Sequence, residues 1–209
     1  MPLTNAQKQA NYRSRKKEEA KAKIGGELLQ LNIVEFFQRV TKLTPTEQQK
    51  RLLLALEDES KTSILISSGR QTGKSLVCAV AVVYLTLKKA LKLCLVSAKD
   101  NYVYYHITNI FANNPELASY VAWQGTKNVI PKDGFTLTNG SQVLLLTSSE
   151  KGVRGAGGSI LFLDEAELME EQTLVSAYGN TSGEKIKTVI LGTLSSKYSK
   201  FNGKRPEEV

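Results

Sequence analysis

Residues 63–75, SILISSGRQTGKS, set a short β-type run directly against a glycine-containing loop and the start of an apolar helical stretch. A strand that turns sharply into a helix N-terminus aims several backbone N–H groups at one place, which suits a phosphate. The consensus loop for that task is G-x-x-x-x-G-K-[ST]. Here Ser68 stands at its first glycine position, Gly69 comes one place later, and Gly73-Lys74-Ser75 ends it. Alone, the segment also reads as a glycine turn with a surface lysine. About 90 residues further on, ILFLDE (160–165) is an apolar strand ending in two carboxylates. The two features need each other chemically. Lys74 would neutralise β/γ-phosphate charge, Ser75 and Asp164 would hold Mg²⁺ directly or through water, and Glu165 would polarise the attacking water. The candidate nucleotide-binding stretch is therefore Ser68, Gly69, Arg70, Gln71, Thr72, Gly73, Lys74 and Ser75.

Around this pair the pattern alternates β-type runs at 63–68, 92–98, 159–163 and 188–192 with helical ones at 74–89 and a stretch containing 101–112. Such alternation predicts a parallel sheet with crossover helices. Asn139-Gly140 lies between two β runs in 135–148 and predicts a hairpin. Towards the N-terminus, Leu28, Leu31, Val34, Phe37 and Val40 recur at helical spacing. Thr44, Pro45 and Glu47 announce a second helix over about 45–58 as cap, first helical residue and capping-box partner. The expected fold is α/β: a P-loop NTPase of the RecA/ASCE-like kind, with a mainly parallel sheet flanked by helices and a β-hairpin.

Length and charge bound the organisation. The 209 residues, 41% hydrophobic and 23% charged, suit one globular domain with an appended arm rather than a disordered chain. The net charge of +8 is concentrated at the start: residues 1–24 hold seven Lys/Arg against two Glu and no apolar stripe. Residues 1–25 are read as a basic arm, either a solvated tail or an electrostatic contact to DNA phosphates, and 26–209 as the ATPase domain. The uncharged run Leu76–Leu87 is too short to cross a membrane, and no secretory signal is expected. One histidine, His106, and two cysteines, Cys78 and Cys94, cannot assemble a Cys/His metal site, and a reducing, cytosol-like compartment is expected. Tyr102, Tyr104, Tyr105 and His106 form a dense group that either stacks on nucleic acid or packs in the core and at interfaces. Trp123 has no assigned role.

The acidic pair and the absence of an Asn-Lys-x-Asp guanine-reading tetrapeptide favour ATP as substrate. Gly69-Arg70-Gln71-Thr72-Gly73-Lys74-Ser75, with Arg-Gln ahead of Gly-Lys-Ser, resembles the divergent phosphate loop of viral terminase large subunits, the DNA-packaging motors of tailed viruses. Thr44-Pro45-Thr46-Glu47-Gln48-Gln49 is similar to that family's adenine-reading Pro-x-Gln segment, with one residue more between Pro45 and Gln48. Arg154-Gly155 precedes Asp164 as the family's Arg-Gly element precedes its Asp-Glu, and Ile190-Leu191-Gly192-Thr193 resembles its coupling motif. The resemblance covers roughly residues 43–203. It implies an ATPase motor translocating double-stranded DNA into a procapsid in the host cytoplasm, with ATP and Mg²⁺, a homo-oligomeric ring, and a portal and small terminase subunit as partners; no membrane is involved. The family's nuclease domain is expected to be absent from this chain.

Each auxiliary residue carries two readings. Arg154 is an arginine finger or a support for the turn at Gly155–Gly158, and Arg70 contacts phosphate in cis or buttresses the loop. Thr193 senses the γ-phosphate or simply ends a strand; Gln48 and Gln49 contact adenine or solvent. The rival functions are a helicase-like or remodelling nucleic-acid-dependent ATPase, and an ATP-binding scaffold without turnover.

Overall fold

The computed structural model describes Gln7 and residues 26–69, 71–98, 102–122, 130–148, 158–179 and 187–193. The basic arm other than Gln7, Arg70, Trp123, and Arg154 with Gly155–Gly157 lie outside the described residues. Among those described, six strands form one sheet: β1 Ser63–Ser68, β2 Lys92–Ser97, β3 Gly134–Thr136, β4 Gln142–Thr147, β5 Ile160–Asp164 and β6 Lys187–Thr193. Their order is β1-β6-β5-β2-β4-β3, parallel except for the antiparallel β3–β4 pair. The expected mainly parallel sheet with a hairpin is what forms. β6 lies between β1 and β5, so the strand leading into the loop and the strand ending in Asp164 each flank it.

Among the described residues the sheet is accompanied by the helices α1 Ile33–Thr41, α2 Glu47–Glu57, α3 Lys74–Lys88, α4 Tyr102–Asn113 and α5 Glu171–Gly179. Four of them, α1–α4, share a core with one sheet face, including Leu93, Leu95, Phe162, Val189 and Leu191. On the other face Cys94, Val96, Leu161, Leu163 and Ile190 pack with Ala166, Met169 and Leu174. Helix α3 touches β2 and β4 beneath it and α1, α2 and α4 beside it. It is buried on all sides, which explains why Leu76–Leu87 has no polar stripe: every residue from Val77 to Val83 is fully buried. The far end of α3 is closed by the hairpin turn. Asn139 Nδ2 donates to the carbonyls of Thr86 (2.8 Å) and Leu87 (3.2 Å), and Ser141 Oγ to those of Thr86 (2.7 Å) and Lys89 (3.0 Å). These are the orphan carbonyls of a helix C-terminus, and Gly140, at φ 89°, supplies the turn that brings the donors there.

Both N-terminal helix expectations need correction. The apolar spacing from Leu28 to Val40 is not one helix, because Asn32 starts a new one at Ile33: its Oδ1 accepts from the N–H groups of Val34 and Glu35, and the Glu35 carboxylate accepts from the Asn32 N–H. The second helix is capped by Thr46, not Thr44, and its capping-box partner is Gln49, not Glu47. Thr46-x-x-Gln49 satisfies the same pattern two residues later, and Pro45, buried, precedes the helix instead of opening it. Tyr102 and Tyr105 are 53% and 55% exposed, so core packing holds for Tyr104, whose hydroxyl donates to Ile130 O, and not for them. No helix of the described residues is long and apolar enough to cross a membrane.

The C-terminus of α2 is closed by a cation from β6. Lys187 Nζ donates to the carbonyls of Ala55 (3.2 Å), Leu56 (2.6 Å) and Asp58 (2.7 Å), a charge-assisted cap aligned with the helix dipole. Burial nevertheless pushes the Lys187 ammonium down from its ordinary pKa, with Asp58 acting the other way. Lys187→Met should destabilise the fold by about 1.5–3 kcal/mol, read as a lower denaturant midpoint with an unchanged slope; an unaltered midpoint would show that water replaces the cap without loss.

Candidate nucleotide site

The parallel register brings the candidate residues to one end of the sheet. β1 hands over to the loop at Ser68, and Ser68 is the Cα partner of Thr193, so the end of β6 lies beside the start of the loop. On the next strand β5 ends at Asp164, and Glu165 follows. In an open parallel sheet the carboxyl ends of the strands are where ligands bind. Of the residues named from sequence, Ser68, Gly69, Gln71, Thr72, Gly73, Lys74, Ser75, Asp164, Glu165 and Thr193 are brought to this end, and Gln49 reaches it from α2.

The loop backbone is bent into unusual conformations. Gln71 (φ 61°) and Gly73 (φ 81°) are left-handed, and Glu165 (φ 54°, ψ 42°) is left-handed as well. For a residue with a Cβ this costs about 1–2 kcal/mol, and such residues cluster where a site over-determines the backbone. Lys74 opens α3 and its Nζ donates to Gly69 O at 2.7 Å, while Thr72 Oγ1 donates to the same carbonyl at 3.1 Å. The lysine thus arches back over its own loop.

The electrostatics are those of a site built for cations and anions together. Burial pushes the Lys74 ammonium below its ordinary pKa, and the charges opposing that shift are Glu167 first, then Asp164 and Glu165. Asp164 is only 4% exposed. Burial and then the neighbouring Glu165 push its carboxyl up to about 6, with Glu167 adding to the shift and the Glu165 N–H and Lys74 opposing it. Beside it, Ser97 is the Cα partner of Asp164 across β2–β5, and its buried Oγ has no hydrogen-bond partner among the described residues. A buried carboxylate that retains a raised pKa despite a nearby lysine, next to an unsatisfied hydroxyl, fits a hard divalent cation. The donor set of Asp164 and Ser75 is all oxygen, as Mg²⁺ takes. Among the described residues no group of three or more His, Cys, Asp or Glu could hold a metal.

Two residues near this site have no role in it from the sequence, although Asp164-Glu165-Ala166-Glu167 is the feature that suggests the helicase-like alternative. Glu167 sits on the 3₁₀ turn Ala166–Leu168, and the Asp-Glu-x-Glu spacing was the signal available for it. Ser97 had none, because its pairing with Asp164 is a matter of strand register.

No family model and no curated protein matches the chain. Its fold does match solved structures. The HK97 bacteriophage large terminase superposes with a TM-score of 0.65 at 13% identity over 77% of this chain and 37% of that one. The large terminase ATPase domain of Thermus phage P74-26 gives 0.57 at 18% identity, over 85% of this chain and 79% of that domain. The large terminase of a thermophilic bacteriophage, in complex with ADP, gives 0.52 at 14% identity over 70% of this chain and 38% of that one. The chain has the fold of a phage large terminase ATPase domain, and spans little more than a third of the length of the first and third of these terminases.

Asp164 yields a stability test with a definite sign. Its raised pKa means the fold favours the protonated acid, a contribution fully present below 3.8 and lost as pH rises through about 6. The displacement corresponds to about 3 kcal/mol at most. Asp164→Asn, neutral and of similar shape, should stabilise the nucleotide-free protein by about 1–3 kcal/mol at pH 7.5, and the gain should vanish towards pH 4. Denaturant unfolding of both proteins at the two pH values reads this; a variant less stable at pH 7.5 would show that the ionised carboxylate is satisfied in the fold.

Proposed function

We propose that the chain is the ATPase motor domain of a DNA-packaging terminase large subunit, hydrolysing ATP to translocate double-stranded DNA into a procapsid. The observation that carries this reading is the convergence of the loop that runs from Ser68 to Lys74, of Thr193 and of Asp164-Glu165 at one end of three adjacent parallel strands, on a fold shared with terminase ATPase domains. The Arg-Gln-Thr-Gly-Lys-Ser loop adds to it.

In this reading the loop N–H groups and the N-terminus of α3 bind the phosphates and Lys74 neutralises their growing charge. Ser75 and Asp164 would hold Mg²⁺, which would supply neutralisation of the phosphate charge. Glu165 orients the attacking water and takes its proton as the water oxygen bonds to the γ-phosphorus and the bond to the β–γ bridging oxygen breaks. Thr193, beside Ser68, reports the state of the γ-phosphate to β6. Arg154 and Arg70 supply positive charge to the transition state, Arg154 from a neighbouring subunit of a homo-oligomeric ring. The portal and small terminase subunit are the partners in the host cytoplasm, and the basic arm contacts duplex phosphates.

Lys74→Ala should lose nucleotide binding, whereas Glu165→Gln should bind ATP and fail to turn it over. Steady-state hydrolysis with duplex DNA, single strands or neither separates the readings: stimulation by duplex supports the motor, by single strands the helicase-like alternative, and absence of turnover the scaffold. Wild-type turnover by Glu165→Gln would remove Glu165 from its role.

Deleting residues 1–24, which carry a net +5, should reduce the slope of log DNA affinity against log salt by about 4–5 and leave ATP binding unchanged. An unaltered slope would return the arm to a solvated tail.

A further inference from the structure

We infer that Gln49 is a positioning residue that ties α2 to the phosphate loop, leaving the adenine base to Gln48; the inference rests on the ATPase reading and divides the labour between two adjacent glutamines. Both ends of the Gln49 amide are engaged. Its Oε1 accepts from the Thr46 N–H at 3.0 Å, completing the capping box, and its Nε2 donates to Thr72 O at 3.1 Å, inside the loop and 23 residues away in sequence. Thr72 lies between the left-handed Gln71 and Gly73, so its carbonyl belongs to the most constrained part of the loop. A Cβ on Gly73 would meet Gln49 Nε2 at 2.5 Å: the amide lies against the loop backbone with no room for a methyl group between.

The cleft beside this contact is lined by Gln48, Gln49, Leu52, Ile66, Thr72 and Val77 among others. Gln48, the residue before, is exposed. A side-chain amide matches adenine by accepting from N6 and donating to N7, which needs both of its ends at once. Turning the Gln49 amide towards a base would release the helix cap and the loop, whereas Gln48 makes no such bond among the described residues.

The test measures Mg²⁺-dependent binding of ATP, GTP and inorganic tripolyphosphate by calorimetry to the full chain and three variants. Gln49→Met keeps the length of the side chain without its amide donor and acceptor, and should weaken tripolyphosphate and ATP by the same factor, about 5- to 10-fold, with the ATP-to-GTP preference unchanged. Gln48→Ala should leave tripolyphosphate untouched and lower the preference for ATP. Thr46→Ala removes the helix cap but not the bond to Thr72, and should leave tripolyphosphate near the wild-type value. If Gln49→Met loses the base preference with tripolyphosphate unaffected, Gln49 is the base reader and the inference falls. It falls equally if Thr46→Ala weakens tripolyphosphate as much as Gln49→Met, since the effect then belongs to the cap. Gln49→Ala, read the same way, serves if the methionine variant does not fold. A wild-type chain that binds neither ATP nor tripolyphosphate would instead overturn the ATPase reading, a result distinct from any change in the variants' ratios.

Discussion

The insertion of β6 between β1 and β5 is the constraint on which the site depends. Its parallel pairing with β1 places Thr193 level with Ser68, and its pairing with β5 runs up to Leu163, one residue short of Asp164. Strands in a parallel sheet are about 4.8 Å apart, so β1 and β5 stand roughly 10 Å from each other across one intervening strand. That span suits a phosphate group and a cation between them. A direct β1–β5 pairing would leave no such gap and would put no hydroxyl-bearing strand end between lysine and carboxylate.

The same end of the sheet concentrates features that disfavour the nucleotide-free fold. Gln71 and Glu165 hold left-handed backbone without being glycine, Asp164 is ionised at neutral pH in a buried place, and burial opposes the charge on Lys74. The rest of the domain offsets them. α3 is buried along its length, and two adjacent phenylalanines of α1, Phe36 and Phe37, are almost wholly enclosed, each such side chain contributing about 1.5–3 kcal/mol. Stability is supplied by the helical layer, and strain is kept where a ligand can relieve it.

What was legible in the sequence follows from how local each determinant is. The strand SILISS and the helix beginning at Lys74 fall where hydrophobic runs and the loop place them, because both are fixed by residues adjacent in sequence. The Asn139-Gly140 hairpin was legible for the same reason. Helix starts were less so: Thr44-x-x-Glu47 and Thr46-x-x-Gln49 are equivalent patterns, and what selects the second includes a bond from Gln49 to a loop 23 residues away. Asn32 lies within an apolar spacing that continues past it on paper, and its side chain decides otherwise. Ser97 and Lys187 act through strand register and helix docking, so no window of sequence contains both partners. Glu167 lay in plain view two residues beyond Glu165, but its bearing on Lys74 depends on the turn that Glu165 makes.

Helix α3 is held at both ends by different parts of the molecule. Its first turn belongs to the phosphate loop, and its last carbonyls are gripped by Asn139 and Ser141 at the far edge of the sheet. Fifteen residues of helix make a rod about 22 Å long, enclosed by close-packed side chains that do not compress. The phosphate-loop end of the sheet and its β3–β4 edge are thus the two ends of a single stiff rod, with no other element between them.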